Sequence, residues 1–239
     1  MPDQKGKNRD SEILHGKSLN YSGVQVSLKK AMKDFNKISS RRERLIRESR
    51  TVISLSSKAI VSVHVSDFSG AEKLKMNAKQ RLGDLQKIAR PDLVRYLTVP
   101  EQEYVECSAL YAIATNSMIP SIQDLEVTDS SYVLGLLDAI GELKRAVLNN
   151  VRKSYFRKSE EIFSIMEKLY LLISPFAIYD NIAQGIKRKL DVARSITEDV
   201  RAIVTEEKRR QDLMDKINRL SIELNSAEKQ PVQTRKSSR

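Results

Sequence analysis

The chain is 239 residues long and carries a formal charge of +11, from 42 Lys and Arg against 31 Asp and Glu. With 8 Gly, 6 Pro and no Trp it is too poor in turn-formers for an all-β fold, and Leu, Ile, Lys, Glu, Arg and Ala recur at helical spacing, so an all-α fold is expected. The single Cys107 excludes an internal disulfide framework and suits a reducing, cytoplasmic setting. No run of 18 apolar residues occurs, and none follows Met1, so neither a membrane span nor a secretory signal is expected.

In chain order, residues 1–20 are polar and read as a flexible arm. A helical pattern then runs from Tyr21 to about His64, with the basic stretch Arg41, Arg42, Arg44, Arg47 and Arg50 wrapped around its middle. Asp67-Phe-Ser-Gly70 reads as a turn, followed by a helix to about Ala89 that Pro91 closes and a short helix from Asp92 to Leu97. The next helix has Pro100 near its first turn with Glu101 and Glu103 behind it, and it is expected to run to about Met118, before Pro120.

Thr128-Asp-Ser-Ser131 reads as the cap of a strongly apolar helix reaching about Val151. A further helix is expected from Ser159 to Ile173, ended by Ser174-Pro175. The last pattern keeps 3–4 spacing from Ile178 through Ile182, Ile186, Leu190 and Val204, then continues roughly in heptads through Leu213, Ile217, Leu220 and Leu224. No repeat or linker interrupts it. The expected organisation is one all-α domain over residues 21–208, a helical extension over 209–226 and a disordered basic tail over 227–239.

Two acidic phrases stand out, Glu103-Tyr-Val-Glu106 and Asp138-Ala-Ile-Gly-Glu142. Spacings of three and four put each pair on one helix face. Glu103 and Glu106 continue the apolar line of Leu110 and Ile113, where a carboxylate is costly to bury unless a cation or donor meets it. Asp138 and Glu142 lie on a narrow polar strip, Ser131, Gly135, Asp138, Glu142, Arg145 and Asn149, along an otherwise apolar helix. Spacing alone leaves two readings open: solvated surface pairs, or ligands for a hard cation such as Mg²⁺ or Mn²⁺. A helical di-iron site needs Glu-x-x-His pairs that neither His15 nor His64 supplies.

These phrases also carry a resemblance. Together with Arg42-Glu-Arg44-Leu-Ile-Arg-Glu-Ser-Arg50, the run from Val127 to Arg145 and Asn149-Asn-Val151, they make the chain resemble the translin family over residues 41–208, and within it the translin-associated factor X branch. The short segment from Ile119 to Leu125 is similar to that of archaeal members. The loop Arg152–Lys158 is basic where the family's is rich in Gly and acids, and residues 206–224 extend the last helix past the family's usual end.

The resemblance implies about seven helices and a closed, barrel-like oligomer, octamer-like as a homo-oligomer or shared with a translin-like subunit. It also implies a Mg²⁺-dependent endoribonuclease (Mn²⁺ being the alternative ion) acting on single-stranded RNA, with single-stranded DNA as a further candidate. Glu103, Glu106, Asp138 and Glu142 would be both its catalytic acids and its metal ligands. Arg145, one turn past Glu142, is a candidate phosphate contact, and Arg95 matches the family as a candidate RNA contact or a structural ion pair. Arg152, Lys153, Tyr155, Arg157 and Lys158 form a candidate backbone-and-stacking surface for nucleic acid, or a solvated loop in which Tyr155 and Phe156 plug the helix behind it. Two other classes remain: a non-catalytic single-strand-binding scaffold like translin, and a coiled-coil adaptor built from the long terminal helices.

Overall fold

Residues 21–228 are described by a computed structural model; the N-terminal arm and all but the first two residues of the basic tail lie outside them. Seven α-helices occur among these residues: α1 Ser22–His64, α2 Phe68–Leu93, α3 Thr98–Ala114, α4 Ile122–Leu125, α5 Asp129–Arg152, α6 Phe156–Ile173 and α7 Ile186–Glu228. Two 3₁₀ segments, Val94–Leu97 and Ser174–Tyr179, join them. The fold is all-α. The chain divides into two compact units between Arg44 and Leu45. In the first, residues 21–44 are helical from Ser22, with side chains exposed or only partly covered.

In the second unit α5 is the central helix, packing against α3, α6 and α7. Its Leu134, Leu137, Ala139, Ile140, Leu143 and Val147 are buried. α3 runs in the same direction as α5: Ser131 Oγ reaches the Thr98 carbonyl, Gly135 abuts Gln102 and Val105, and Leu143 shares a cavity with Leu110. Gly135 permits this approach, because a Cβ there would stand 2.7 Å from both the Gln102 carbonyl oxygen and Val105 Cβ. At the helix starts, Glu101 is buried and its Oε2 accepts the backbone N–H and hydroxyl of Thr128 at 3.2 and 2.7 Å.

Several element ends depart from the sequence expectation. α3 stops at Ala114, not Met118. Thr115 Oγ1 bonds back to Tyr111 O, Asn116 is left-handed at φ 54°, and Ser117 N–H reaches Ala112 O at 2.8 Å, a Schellman-type close. Thr128 occupies the N-cap of α5, but its hydroxyl serves Glu101 and does not cap the helix. α6 begins at Phe156, a turn before Ser159. The last helix starts at Ile186 and leaves Ile178 and Ile182 outside it. Gly185 at φ 89° breaks the pattern, and Asp180 Oδ1 accepts the N–H groups of Gly185 and Lys187 at 3.2 and 3.0 Å. As expected, Arg90 (φ 47°, ψ 178°) before Pro91 interrupts α2.

The segment Phe156–Tyr179 is long and apolar enough, by length and composition only, to cross a membrane. Its first part, α6, lies against α5 and α7 through the buried Ile162, Met166, Leu169 and Ile173, while the following Ser174–Tyr179 buries no residue.

Candidate functional site

The parallel packing of α3 on α5 brings the two acidic phrases face to face. Glu103 and Glu106 come from the middle of α3, and Asp138 and Glu142 from the polar strip of α5, which therefore looks onto α3. All four are partly buried. They sense one another: the carboxyl of Glu103 is raised by burial, then by the charges of Asp138 and Glu142. Glu106 is pushed up to about 8, by burial first and then by Asp138, Glu103 and Glu142.

Two other helices bring donors to the cluster. From α7, the Lys189 ammonium stands 2.5 Å from Asp138 Oδ2 and 3.0 Å from Gln102 Oε1. From α1, His64 Nε2 stands 2.5 Å from Glu142 Oε2, and the Ser57 hydroxyl donates to Glu103 Oε2 at 3.4 Å. The imidazole is 5% exposed. Its hydrogen bond is the largest influence on Glu142 and, outweighing burial, holds that carboxyl below the ordinary range; the charges of His64 and Arg145 act in the same direction. Glu106 has no hydrogen-bond or ion-pair partner among the described residues.

His64, Lys189, Gln102 and Ser57 were not picked out as site residues by sequence reasoning. A signal existed for three of them. Ser57 and His64 are seven residues apart on one face of α1, and Lys189 lies on the line of Ala193 and Val200, two buried residues of α7. A cation continuing a buried stripe is the counterpart of the acids continuing theirs.

Arg145 lies 3.8 Å from Glu142 Oε2 and is more than half exposed, at the rim of the cluster. Arg95 is placed elsewhere, on the 3₁₀ segment before α3, with its guanidinium 5.1 Å from the Tyr96 ring centroid and 3.4 Å from the Tyr96 hydroxyl. Arg152, Lys153, Tyr155, Arg157 and Lys158 are all exposed around the turn from α5 to α6, which the left-handed Ser154 closes. Tyr155 is 58% exposed and does not plug the helix behind it. With Lys208, Gln211, Asp212 and Asp215 of α7, residues 154–158 line an open groove. Cys107, next to Glu106, is buried, and burial pushes its thiol up to about 12, which leaves it inert at neutral pH.

The donor chemistry fits a hard cation, since four carboxylates meet and one is unpartnered with its ionised form disfavoured. The arrangement itself is not a ready cage. Among the described residues no three His, Cys, Asp or Glu side chains are placed to hold a metal, and Asp138 and Glu142 are each engaged by a protein nitrogen.

Comparison with known proteins agrees with the packing. The translin family profile matches residues 40–204, which include all four acids. The chain belongs to the translin family. An uncharacterised protein of Methanocaldococcus jannaschii is 34% identical over 160 residues, 66% of this chain and 72% of that one. Among solved structures, AfC3PO in complex with duplex RNA is similar at a TM-score of 0.71 and 26% identity, covering 77% of this chain and 97% of that chain. AfC3PO alone gives 0.70 and 26%, over 77% and 98%. Apo-NeC3PO, at 0.66, 23% identity and coverage of 75% and 96%, shares the fold.

Proposed function

We propose that this translin-family protein is a metal-dependent endoribonuclease of the translin-associated factor X type, hydrolysing RNA phosphodiester bonds at the α3–α5 acid cluster. The observation that carries the reading is Glu106, a partly buried carboxylate pushed up to about 8 with no partner among the described residues. A fold that keeps three more carboxylates around such a group holds a site whose charge a divalent cation would balance.

In this reading Glu103, Glu106 and Asp138 would hold Mg²⁺ or Mn²⁺ directly or through water, with Glu142 beside them as the base rather than as a further ligand. When bound, the ion lowers the pKa of a water and stabilises charge on the phosphoryl oxygens. The chain's own residues do the remainder. Glu142, kept ionised by His64, orients and deprotonates the attacking water. Arg145, at the rim, meets a non-bridging phosphate oxygen. Lys189, 2.5 Å from Asp138 Oδ2, would offset the charge of the acids and present an ammonium to an incoming phosphate.

The exposed cations and Tyr155 around the α5–α6 turn supply a backbone-binding and stacking surface. Single-stranded RNA is the proposed substrate, with single-stranded DNA as a candidate ligand; the similar AfC3PO has been captured with duplex RNA, so duplexes belong in the same assay. Leu171 and Leu172 at the end of α6 and Ile178, Tyr179 and Ile182 after it are exposed apolar side chains, which supports burial between subunits of a closed oligomer, octamer-like or shared with a translin-like subunit.

The alternative, a non-catalytic binding scaffold, draws on the engagement of Asp138 by Lys189. One assay separates the two. Labelled single-stranded and duplex RNA are incubated with the protein in Mg²⁺, Mn²⁺ or EDTA and resolved on a denaturing gel. Metal-dependent cutting that is lost in E106Q/D138N, with RNA binding retained, is expected. Binding without cutting in any metal selects the scaffold.

A further inference from the structure

The last buried residue of α7 is Val204, the family match also ends at residue 204, and the helix continues to Glu228. Those final 24 residues span about 36 Å of helix. Along them Leu213, Ile217, Leu220 and Leu224 follow one another at spacings of four, three and four, the a/d rhythm of a coiled-coil seam. They are 58, 45, 58 and 67% exposed, so nothing in the fold of one chain covers them.

We propose that this extension pairs antiparallel with the same segment of a second copy. Charge placement selects both occupant and direction. Lys216 and Glu223 each stand one residue before a seam position, Ile217 and Leu224, and so flank the seam on the same side. In the antiparallel alignment Leu213 shares a layer with Leu224 of the second copy, and Ile217 with Leu220. That register sets Lys216 beside Glu223 of the second copy, and by symmetry does so twice. Met214 then meets Ser221 on the other flank, so no like charges are opposed between Leu213 and Leu224. A parallel alignment sets Lys216 beside Ser221 and gives Glu223 no cation. The segment is therefore self-complementary in one direction only, as an isologous two-fold contact requires. It lies outside the family match, so it adds a contact to whatever residues 40–204 make.

The test uses full-length chains, since Cys107 is buried and does not compete for cross-linking. I217C and L220C chains carrying different tags are co-expressed and oxidised. Antiparallel pairing gives a disulfide between the two variants and little within either. Self-linked I217C or self-linked L220C as the main product overturns the direction, and no product overturns the contact. Adding K216E to both chains should lower the mixed product about tenfold, and K216E/E223K should restore it. A yield indifferent to K216E also overturns the proposal.

Discussion

Lys189 Nζ and Asp138 Oδ2 stand 2.5 Å apart, joining α7 to the acid strip of α5. Both side chains are about one-third exposed, 31 and 33%, so the pair lies between a solvent-screened bridge and a buried one. K189M keeps the aliphatic stem and removes the charge. Without divalent metal the variant should lose about 1–2 kcal/mol of stability in urea titration followed by helical circular dichroism. With Mg²⁺ or Mn²⁺ added, the variant should gain more stability than the parent, because the ion no longer displaces an ammonium. Equal gains would show that Lys189 and the ion do not share the site.

Glu106 makes a pH-dependent prediction. Its folded-state carboxyl sits at about 8 against an ordinary 4.5, so the folded chain holds a proton that the unfolded chain has released. The penalty is absent below pH 4.5, grows through the interval and is complete above 8. E106Q should therefore be more stable than the parent at pH 8.5, by on the order of 2–4 kcal/mol without metal, with the difference shrinking toward pH 5. Metal binding that requires the ionised acid should release close to one proton at pH 7, read from calorimetry in buffers of different ionisation enthalpy.

His64 acts in the opposite sense on Glu142. The folded carboxyl is held low, so its contribution to stability is present above 4.5 and is lost as pH falls through the folded value. H64A removes the principal partner, leaves Arg145 at 3.8 Å and opens a void at a 5%-exposed ring. A loss of about 2–3 kcal/mol at pH 7 is expected. The acid limb of the stability profile should also flatten in H64A, and an unchanged limb would mean that His64 does not govern Glu142.

Much of this was legible in the sequence because helices obey one period. The acids at 103 and 106 could be placed on an apolar line and those at 138 and 142 on a polar strip, and α1, α2 and α5 were readable from Pro91, the Asp67 turn and the stripes. The misjudged ends have local causes that hydropathy does not encode: the left-handed Asn116 ending α3, and Gly185 with Asp180 delaying α7 to Ile186. The harder failure was tertiary. That His64 and Lys189 meet carboxylates 78 and 51 residues away depends on where α1 and α7 cross α5, and periodicity says which face a residue occupies but not what faces it.

Gly135 and Gly141, six residues apart on α5, should respond to Ala in opposite directions. At Gly135 a methyl would stand 2.7 Å from the Gln102 carbonyl and from Val105 Cβ. Backbone cannot yield as a flexible side chain can, so α3 must retreat from α5, at a cost of about 1–3 kcal/mol. The retreat would also draw Glu103 and Glu106 away from Asp138 and Glu142, so G135A should shift the pH dependence attributed to Glu106 as well as lower stability. At Gly141 a methyl meets nothing within 4 Å. There Ala only removes unfolded-state freedom and improves helix propensity, a gain of about 0.5–1 kcal/mol. Urea midpoints moving down in G135A and up in G141A would establish that the close α3–α5 approach, and not glycine content, holds the acids together; the same direction in both would refute it.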